Sequence, residues 1–333
     1  YGARHVALRA GLPIETPALT VNRLCGSGMQ AIVTAAQMIQ LGEARTVLAG
    51  GMESMSQAPH VIRGARWGFG LGEGKMEDSL MVALLDSYCG LYMANTAELY
   101  AEQMGITREM QDELALRSQQ SADAAYKACR IKEELVAVPL RNKKGDPTGE
   151  MFTEDDHRRS DTTLETLAKL KPAFGKNGTV TAGNASGIVD GGAAVVVTSL
   201  ADAEKRGLTP LGRIVSWGIA GVEPKIMGRG PVPATRIALE KAGLKLEDID
   251  LIEVNEAFAA QYLAVEKELG LDRSKVNVNG GAIALGHPLG ATGTRLVITL
   301  LHELRRRKGK YGLATACIGG GQGIAMIVEN LQR

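Results

Sequence analysis

The chain has 333 residues, 45% hydrophobic and 23% charged, which fits a globular protein of two or three domains and excludes a disordered or fibrous one. A formal net charge of +1 and 4% aromatic residues give no footing for nucleic acid as a partner. Apolar runs such as Leu80–Leu85 and Ala193–Val197 are too short to span a bilayer, so no stable membrane insertion is expected.

Residues Tyr1 to Gly11 read as the tail of a helix already under way, as in a fragment whose targeting segment is not visible. Next comes Pro17-Ala-Leu-Thr-Val21, a short apolar strand entering a glycine turn, Cys25-Gly26-Ser-Gly28. Met29, Ile32, Val33 and Ala36 then recur at the spacing of a buried helical face, ending near Leu41-Gly42. Thr46 to Gly51 is a second strand, and strand, helix, strand in this order makes a parallel crossover unit. At the helix start Cys25 faces unpaired N–H groups and the positive dipole end, a setting that favours thiolate over thiol. The other reading of Cys25 is a small buried hydrophobe.

Residues 55–188 change texture and read as an inserted subdomain, helical with a hairpin. Asn95 followed by Glu98 marks a helix start and Gly105 a stop. A long helix polar on one side follows from Arg108 to Arg130, then a charged turn at Asn142 to Gly149. Gly191 to Thr198 is another buried strand. The remainder repeats an α/β rhythm: strand Asp250–Val254, helix Glu256–Leu269, strand Val276–Asn279, helix Thr294–Arg306, strands Leu313–Cys317 and Ile324–Val328. An internal echo links Val21-Asn22, a glycine turn, a helix and Ala49-Gly-Gly to Val278-Asn279, a glycine turn, a helix and Cys317-Ile-Gly-Gly. Two copies of one module facing each other would bring their strand-end loops into one cleft. The expected division is 1–54 with 189–210, an inserted 55–188, and 211–333.

His287 alone among five histidines sits between glycines just before a helix. Cys317 ends a strand and is followed by Ile-Gly-Gly-Gly-Gln-Gly323. Asn255-Glu256 closes another strand. Two cysteines and one histidine, each at a strand end on a glycine turn, fit nucleophile, base and second acid/base. A hydrolase has no use for the second thiol, whereas a reaction that protonates carbon does. The four cysteines show no C-x-x-C pair and no zinc spacing, so they read as free thiols in a reducing compartment, and no metal is expected. Cys89 and Cys129 read as packing residues.

Asn22-Arg-Leu-Cys-Gly-Ser-Gly28, Gly183-Asn-Ala-Ser-Gly187, Asn255-Glu-Ala-Phe258, Asn279-Gly-Gly-Ala-Ile-Ala-Leu-Gly-His-Pro288 and Cys317-Ile-Gly-Gly-Gly-Gln-Gly323 resemble the thiolases, in the family's order along the whole chain. The texture is most similar to the degradative 3-ketoacyl-CoA enzymes of mitochondrial-matrix type and their bacterial relatives. Pro224-Lys-Ile-Met-Gly228 is equally similar to the acetoacetyl-CoA-forming ones. The resemblance implies an α/β fold of two duplicated sheet domains in α-β-α-β-α layers with an inserted subdomain. It also implies that the start of the first sheet is absent here. By the same resemblance Cys25 takes the acyl group and His287 accepts its proton. Later His287, with a water held by Asn255, holds the thioester oxygen of the second substrate, Cys317 moves the α-carbon proton, and Gly319 N–H completes the other oxyanion hole with that of Cys25. CoA would touch Arg159, Leu170, Ala173, Phe174, Ala182 and Ser186, with Met227, Phe258 and Met93 at the pantetheine and acyl end. The implied localisation is bacterial cytoplasm or mitochondrial matrix, and the implied assembly a homodimer or homotetramer. CoA and its thioesters are substrates, and no further cofactor is implied.

One departure stands out. Short-chain biosynthetic members carry Gly-Tyr-His-Met, but this chain has Gly90-Leu-Tyr92-Met93, which argues for the 3-ketoacyl side. The rival readings are a non-catalytic CoA- or lipid-binding fragment, and a dinucleotide oxidoreductase built on Gly68 to Gly74. The latter run lacks a preceding apolar strand.

Overall fold

The computed structural model describes residues 1–332, so Arg333, the last residue of the 211–333 unit, lies outside the described residues. The chain opens with α1 (Gly2–Arg9), followed by α2 (Ser27–Gln40) and β1 (Thr46–Glu53). The middle contributes α3 (Met93–Gln103), α4 (Arg108–Lys127) and the hairpin β2 (Val138–Arg141) with β3 (Pro147–Phe152). Then come β4 (Gly191–Thr198), β5 (Gly212–Gly221), α5 (Pro231–Ala242), β6 (Leu251–Val254) and α6 (Ala259–Leu269). The chain closes with α7 (Leu289–Arg307), β7 (Tyr311–Ile318) and β8 (Gln322–Asn330).

Two sheets carry the site. β1 and β4 pair antiparallel, Thr46 opposite Thr198 through Glu53 opposite Gly191. The second sheet has the order β6-β7-β8-β5, parallel between β6 and β7 and antiparallel elsewhere. Its strands are apolar on both faces because both faces are covered. Ala314, Ala316, Ile324, Met326 and Val328 meet Met29, Ile32 and Leu296 of α2 and α7. The alternate residues Leu313, Ala325 and Ile327 meet Val232, Leu263 and Tyr262 of α5 and α6. The pair α2 and α7 is thus a helical layer between the two sheets. On the far side of the β1/β4 sheet Leu48, Met52 and Val196 are exposed, and Gly2 at the start of α1 lies against Met52.

Glycines set how closely these layers approach. A Cβ on Gly28 of α2 would stand 2.7 Å from Thr294 N, and one on Gly293 of α7 2.4 Å from Met29 N. A Cβ on Gly51 would stand 1.7 Å from Gly290 O, so β1 also meets the first turn of α7 backbone to backbone. No side chain fits at such distances, which is why the echoed motifs are glycine-rich.

The structure corrects several expectations. Pro17–Val21 is not a strand: its residues are mostly exposed, no described strand lies beside them, and the crossover unit is not formed. Val276–Asn279 is reduced to one bridge between Val276 and Ile252. Asn277 turns at φ 47°, and its side-chain amide replaces a strand's backbone, accepting from Val254 N and donating to Val254 O, each at 2.9 Å. The helix marked at Asn95 starts two residues earlier, with Asn95 bonding to Phe174 O. The helix read from Thr294 begins at Leu289, since Gly290 and Gly293 are helical where α2 crosses. β5 and α5 are additions to the elements that the sequence pattern predicts. No helix among the described residues is long and apolar enough to cross a membrane.

Candidate active site

Cys25 occupies the single helical turn Leu24–Gly26 that runs straight into α2. Leu24 takes φ 47°, held by Asn22, whose Oδ1 accepts from Leu24 N–H at 2.8 Å. Arg23 donates to Gln322 Oε1 at 2.8 Å and so ties the turn to the start of β8. Gly26 packs on Ile318, where a Cβ would be 2.5 Å from Cδ1. The N–H groups of Gly319 and of Cys25 itself both point at the Cys25 sulfur. Two converging backbone donors are what an oxyanion hole requires.

Cys317 is buried on β7 opposite Gly323, near enough to Cys25 for the charge of one sulfur to act on the other. Met227 and Ala257 pack around it, with Met93 and Phe258 half-buried beside them. Gly319 faces Met93, whose Sδ would lie 3.2 Å from an added Cβ.

His287 arrives on the other module. Gly28, three residues after Cys25, lies against Gly290, three residues after His287, with 2.8 Å between a Gly28 Cβ and Gly290 O. His287 Nε2 is 3.2 Å from Asn255 Nδ2 and its Nδ1 2.6 Å from Thr292 Oγ1. Asn255 follows β6 and is locked to β7 by donating its N–H to Thr315 O at 2.9 Å. Its side chain is fully buried and its Oδ1 has no hydrogen-bond partner among the described residues.

Three contributors escaped the sequence reading. Glu256 is buried and accepts from Ser118 Oγ at 2.6 Å, Asn277 Nδ2 at 2.8 Å and Ile283 N–H at 3.2 Å, fixing the loop that leads to His287. Glu53 accepts from Gly290 N–H at 3.0 Å, capping α7. Thr292 lies one turn into α7, a place where a threonine hydroxyl bonds back to the preceding turn. Only Glu256 carried a signal, its place beside Asn255 at a strand end.

Electrostatics overturn the expectation of a resting thiolate. Burial pushes the Cys25 thiol up to about 11, against the pull of the two N–H groups, and the Glu53 charge adds to the rise. Burial, with the Arg295 charge second, holds His287 down at about 3. Cys317 is pushed up further, by burial and then by Cys25. The helix-terminus dipole is the weaker influence because desolvation penalises any bare charge in this pocket. Both thiols and the imidazole therefore rest neutral. Alkylation of Cys25 by iodoacetamide is expected to climb about tenfold per pH unit between roughly pH 6 and 9, with no acid plateau. Mass analysis of the Cys25 peptide reads this, and a plateau at low pH would mean a resting ion pair.

The residues expected to meet CoA are spread over the middle of the chain. Leu170, Ala173, Phe174, Ala182 and Ser186 lie on one segment, held by Ala173 N–H to Val180 O and Ser186 N–H to Ala257 O. Arg108 donates to Leu167 O and Leu170 O, and Glu98 accepts from Thr179 and Val180 N–H, so the segment is pinned to α3 and α4. Phe174 stacks at a tilt on Tyr92, centroids 5.6 Å apart, which joins the segment to the departure at Gly90–Met93. Phe258 pairs with Ala185, and Met227 is buried beside Cys317. Arg159 is exposed, its N–H held by Gln119, on the loop whose His157 ring lies under Gly187. No contact brings Arg159 or Leu170 to the sulfurs. Cys89 is half-buried and Cys129 exposed, and neither joins the site. No group of three or more potential metal ligands is found among the described residues.

Two family models divide the chain. Thiolase, N-terminal domain, matches residues 2–201, and thiolase, C-terminal domain, residues 208–330. The chain belongs to the thiolase family. Among relatives, the human mitochondrial 3-ketoacyl-CoA thiolase is 56% identical over 99% of this chain and 83% of its own length. An acetyl-CoA acetyltransferase of Cupriavidus necator is 54% identical over 98% of this chain and 83% of its own. The crystal structure of human mitochondrial 3-ketoacyl-CoA thiolase in complex with CoA superposes with a TM-score of 0.94 at 55% identity, covering 98% of this chain and 82% of that one. The thiolase fold is thereby established for this chain.

Proposed function

We propose that this thiolase cleaves 3-ketoacyl-CoA with CoA to acetyl-CoA and a shortened acyl-CoA, and runs the reverse condensation of two acetyl-CoA. The observation that carries the reading is the meeting of Cys25, Cys317 and the Gly319 N–H at one end of the second sheet, with Asn255 bonded to the strand that carries Cys317 and, through its side chain, to His287. Neutral groups suit the thiolytic direction. The Cys25 S–H proton passes to His287 as the sulfur attacks the 3-keto carbonyl, whose oxygen is held by Cys25 and Gly319 N–H. The carbon–carbon bond breaks, and Cys317 gives its proton to the α-carbon of the departing acetyl-CoA. The Cys317 thiolate recovers a proton from His287, and CoA then gives its S–H proton to His287 and attacks the acyl-enzyme. Cys25 leaves and recovers its proton from His287. Asn255, whose Oδ1 is free, holds a water that donates to the second substrate's thioester oxygen.

The inserted 55–188 unit would carry CoA, on Arg159 and the segment Leu170 to Ser186, with Met227, Phe258 and Met93 along the acyl end. Two or four copies would cover the exposed Leu48, Met52 and Val196, and the compartment would be bacterial cytoplasm or mitochondrial matrix, a reading supported by one relative named as mitochondrial and another from a bacterium. Tyr92 in place of an imidazole supports the 3-ketoacyl side. Thiolysis rates over a series of acyl lengths test this. Turnover of 3-ketoacyl-CoA longer than acetoacetyl-CoA is expected, and activity confined to acetoacetyl-CoA would overturn it.

A further inference from the structure

Resting on the reading that His287 serves Cys25, we propose that Thr292 is a positioning residue holding the Nδ1–H form of the imidazole. Nε2 is then the atom that receives the Cys25 proton. The observation is a run of hydrogen bonds through three side chains, all at most 5% exposed. Thr292 Oγ1 lies 3.1 Å from Pro288 O, one turn back at the residue that precedes α7, and 2.6 Å from His287 Nδ1. His287 Nε2 lies 3.2 Å from Asn255 Nδ2.

A hydroxyl has one proton to give. Given to the Pro288 carbonyl, it leaves the Thr292 oxygen as an acceptor, so Nδ1 must carry hydrogen. Nε2 is then bare and takes the N–H of Asn255, and donors alternate with acceptors along the whole run. In the opposite tautomer an Nε2–H would confront the Asn255 amide N–H, donor against donor, where burial makes an unpaired polar group costly. Nδ1 is covered by Thr292 in either case, which leaves Nε2 as the ring nitrogen turned towards Asn255.

The chemistry needs this choice. When the Cys25 S–H bond breaks, an Nε2–H bond forms, and the sulfur bonds to the thioester carbon as the CoA sulfur leaves. CoA departs as a thiolate and takes the proton from Nε2. Throughout, Nδ1–H stays on Thr292, so one end of the transient imidazolium is always satisfied. An imidazole free to carry its proton on Nε2 would meet Cys25 with no lone pair.

Nitrogen-15 spectra of the full chain labelled at histidine test the assignment. The wild type is expected to show a pyrrole-type Nδ1 and a pyridine-type Nε2 for His287. Thr292→Val, of nearly the same volume, is expected to lose that single form and to slow Cys25 acetylation by acetyl-CoA by about a hundredfold. Thr292→Ser, which keeps the oxygen, is expected to restore the spectrum and most of the rate. It also carries the test should the valine variant fail to fold. A wild-type His287 protonated on Nε2 overturns the proposal, and so does an unchanged spectrum in Thr292→Val. The spectrum needs no turnover, so failure of the wild type to accept an acetyl group counts against the functional reading and leaves this assignment to be decided separately.

Discussion

Cys317→Ala is expected to take an acetyl group from acetyl-CoA at close to the wild-type rate while losing thiolysis of 3-ketoacyl-CoA by about a thousandfold or more. The two reactions divide because they ask different things of the pocket. Acetyl transfer needs a nucleophile, a proton acceptor and a hole for the oxyanion, the roles proposed for Cys25, His287 and the Gly319 N–H. Carbon–carbon cleavage also leaves a carbanion, which the proposed mechanism quenches with the Cys317 proton. That thiol rests protonated because burial and the neighbouring Cys25 push its pKa up. Alanine at this buried position leaves a small void beside Met227 and Ala257, so thermal unfolding should accompany the assay. Rapid quench with intact mass follows acetylation, and steady-state thiolysis follows cleavage. Equal loss of both steps would remove the separate role of Cys317.

Much of this architecture was legible because local pattern and tertiary role agree. Met29, Ile32, Val33 and Ala36 form the buried stripe of α2 that their spacing implied. Gly191–Thr198 matches its strand to the residue, and the Asn142–Gly149 turn sits inside the β2/β3 hairpin. Errors arose where side chains or neighbours do what local pattern cannot announce. Asn277 substitutes its amide for a strand partner, so a β-looking run leaves the extended region. Gly290 and Gly293 look like loop residues but are helical, since α2 and β1 press against them.

The site was legible in its glycine turns and less so in its electrostatics. Cys25, His287, Cys317 and Asn255 stood out as polar or reactive groups expected at strand ends; Asn255 and Cys317 do lie at the ends of β6 and β7, whereas Cys25 and His287 follow segments that are not strands. The charge state of Cys25 was misread because a helix terminus is visible in sequence while desolvation is not. Thr292 and Glu53 were invisible for a related reason. One acts across a helical turn, the other from β1 onto Gly290, and neither lies in a turn that advertises chemistry.

Cys25→Ser carries the second large effect. In the proposed mechanism a neutral imidazole and two N–H donors lower the barrier for a thiol pushed up to about 11. A serine hydroxyl is a far poorer proton donor to that same imidazole, so acyl transfer is expected to fall on the order of ten-thousandfold. Packing should hardly change, since the two side chains differ by one atom, and the turn itself is held by Asn22, Arg23 and Gly26. The decisive measurement is the intact mass of the protein after incubation with acetyl-CoA. A single acetyl group on Cys25 in the wild type, absent from Cys25→Ser, is the predicted result. A wild-type protein that stays unmodified, or an acetyl group that persists in the serine variant, would contradict the account.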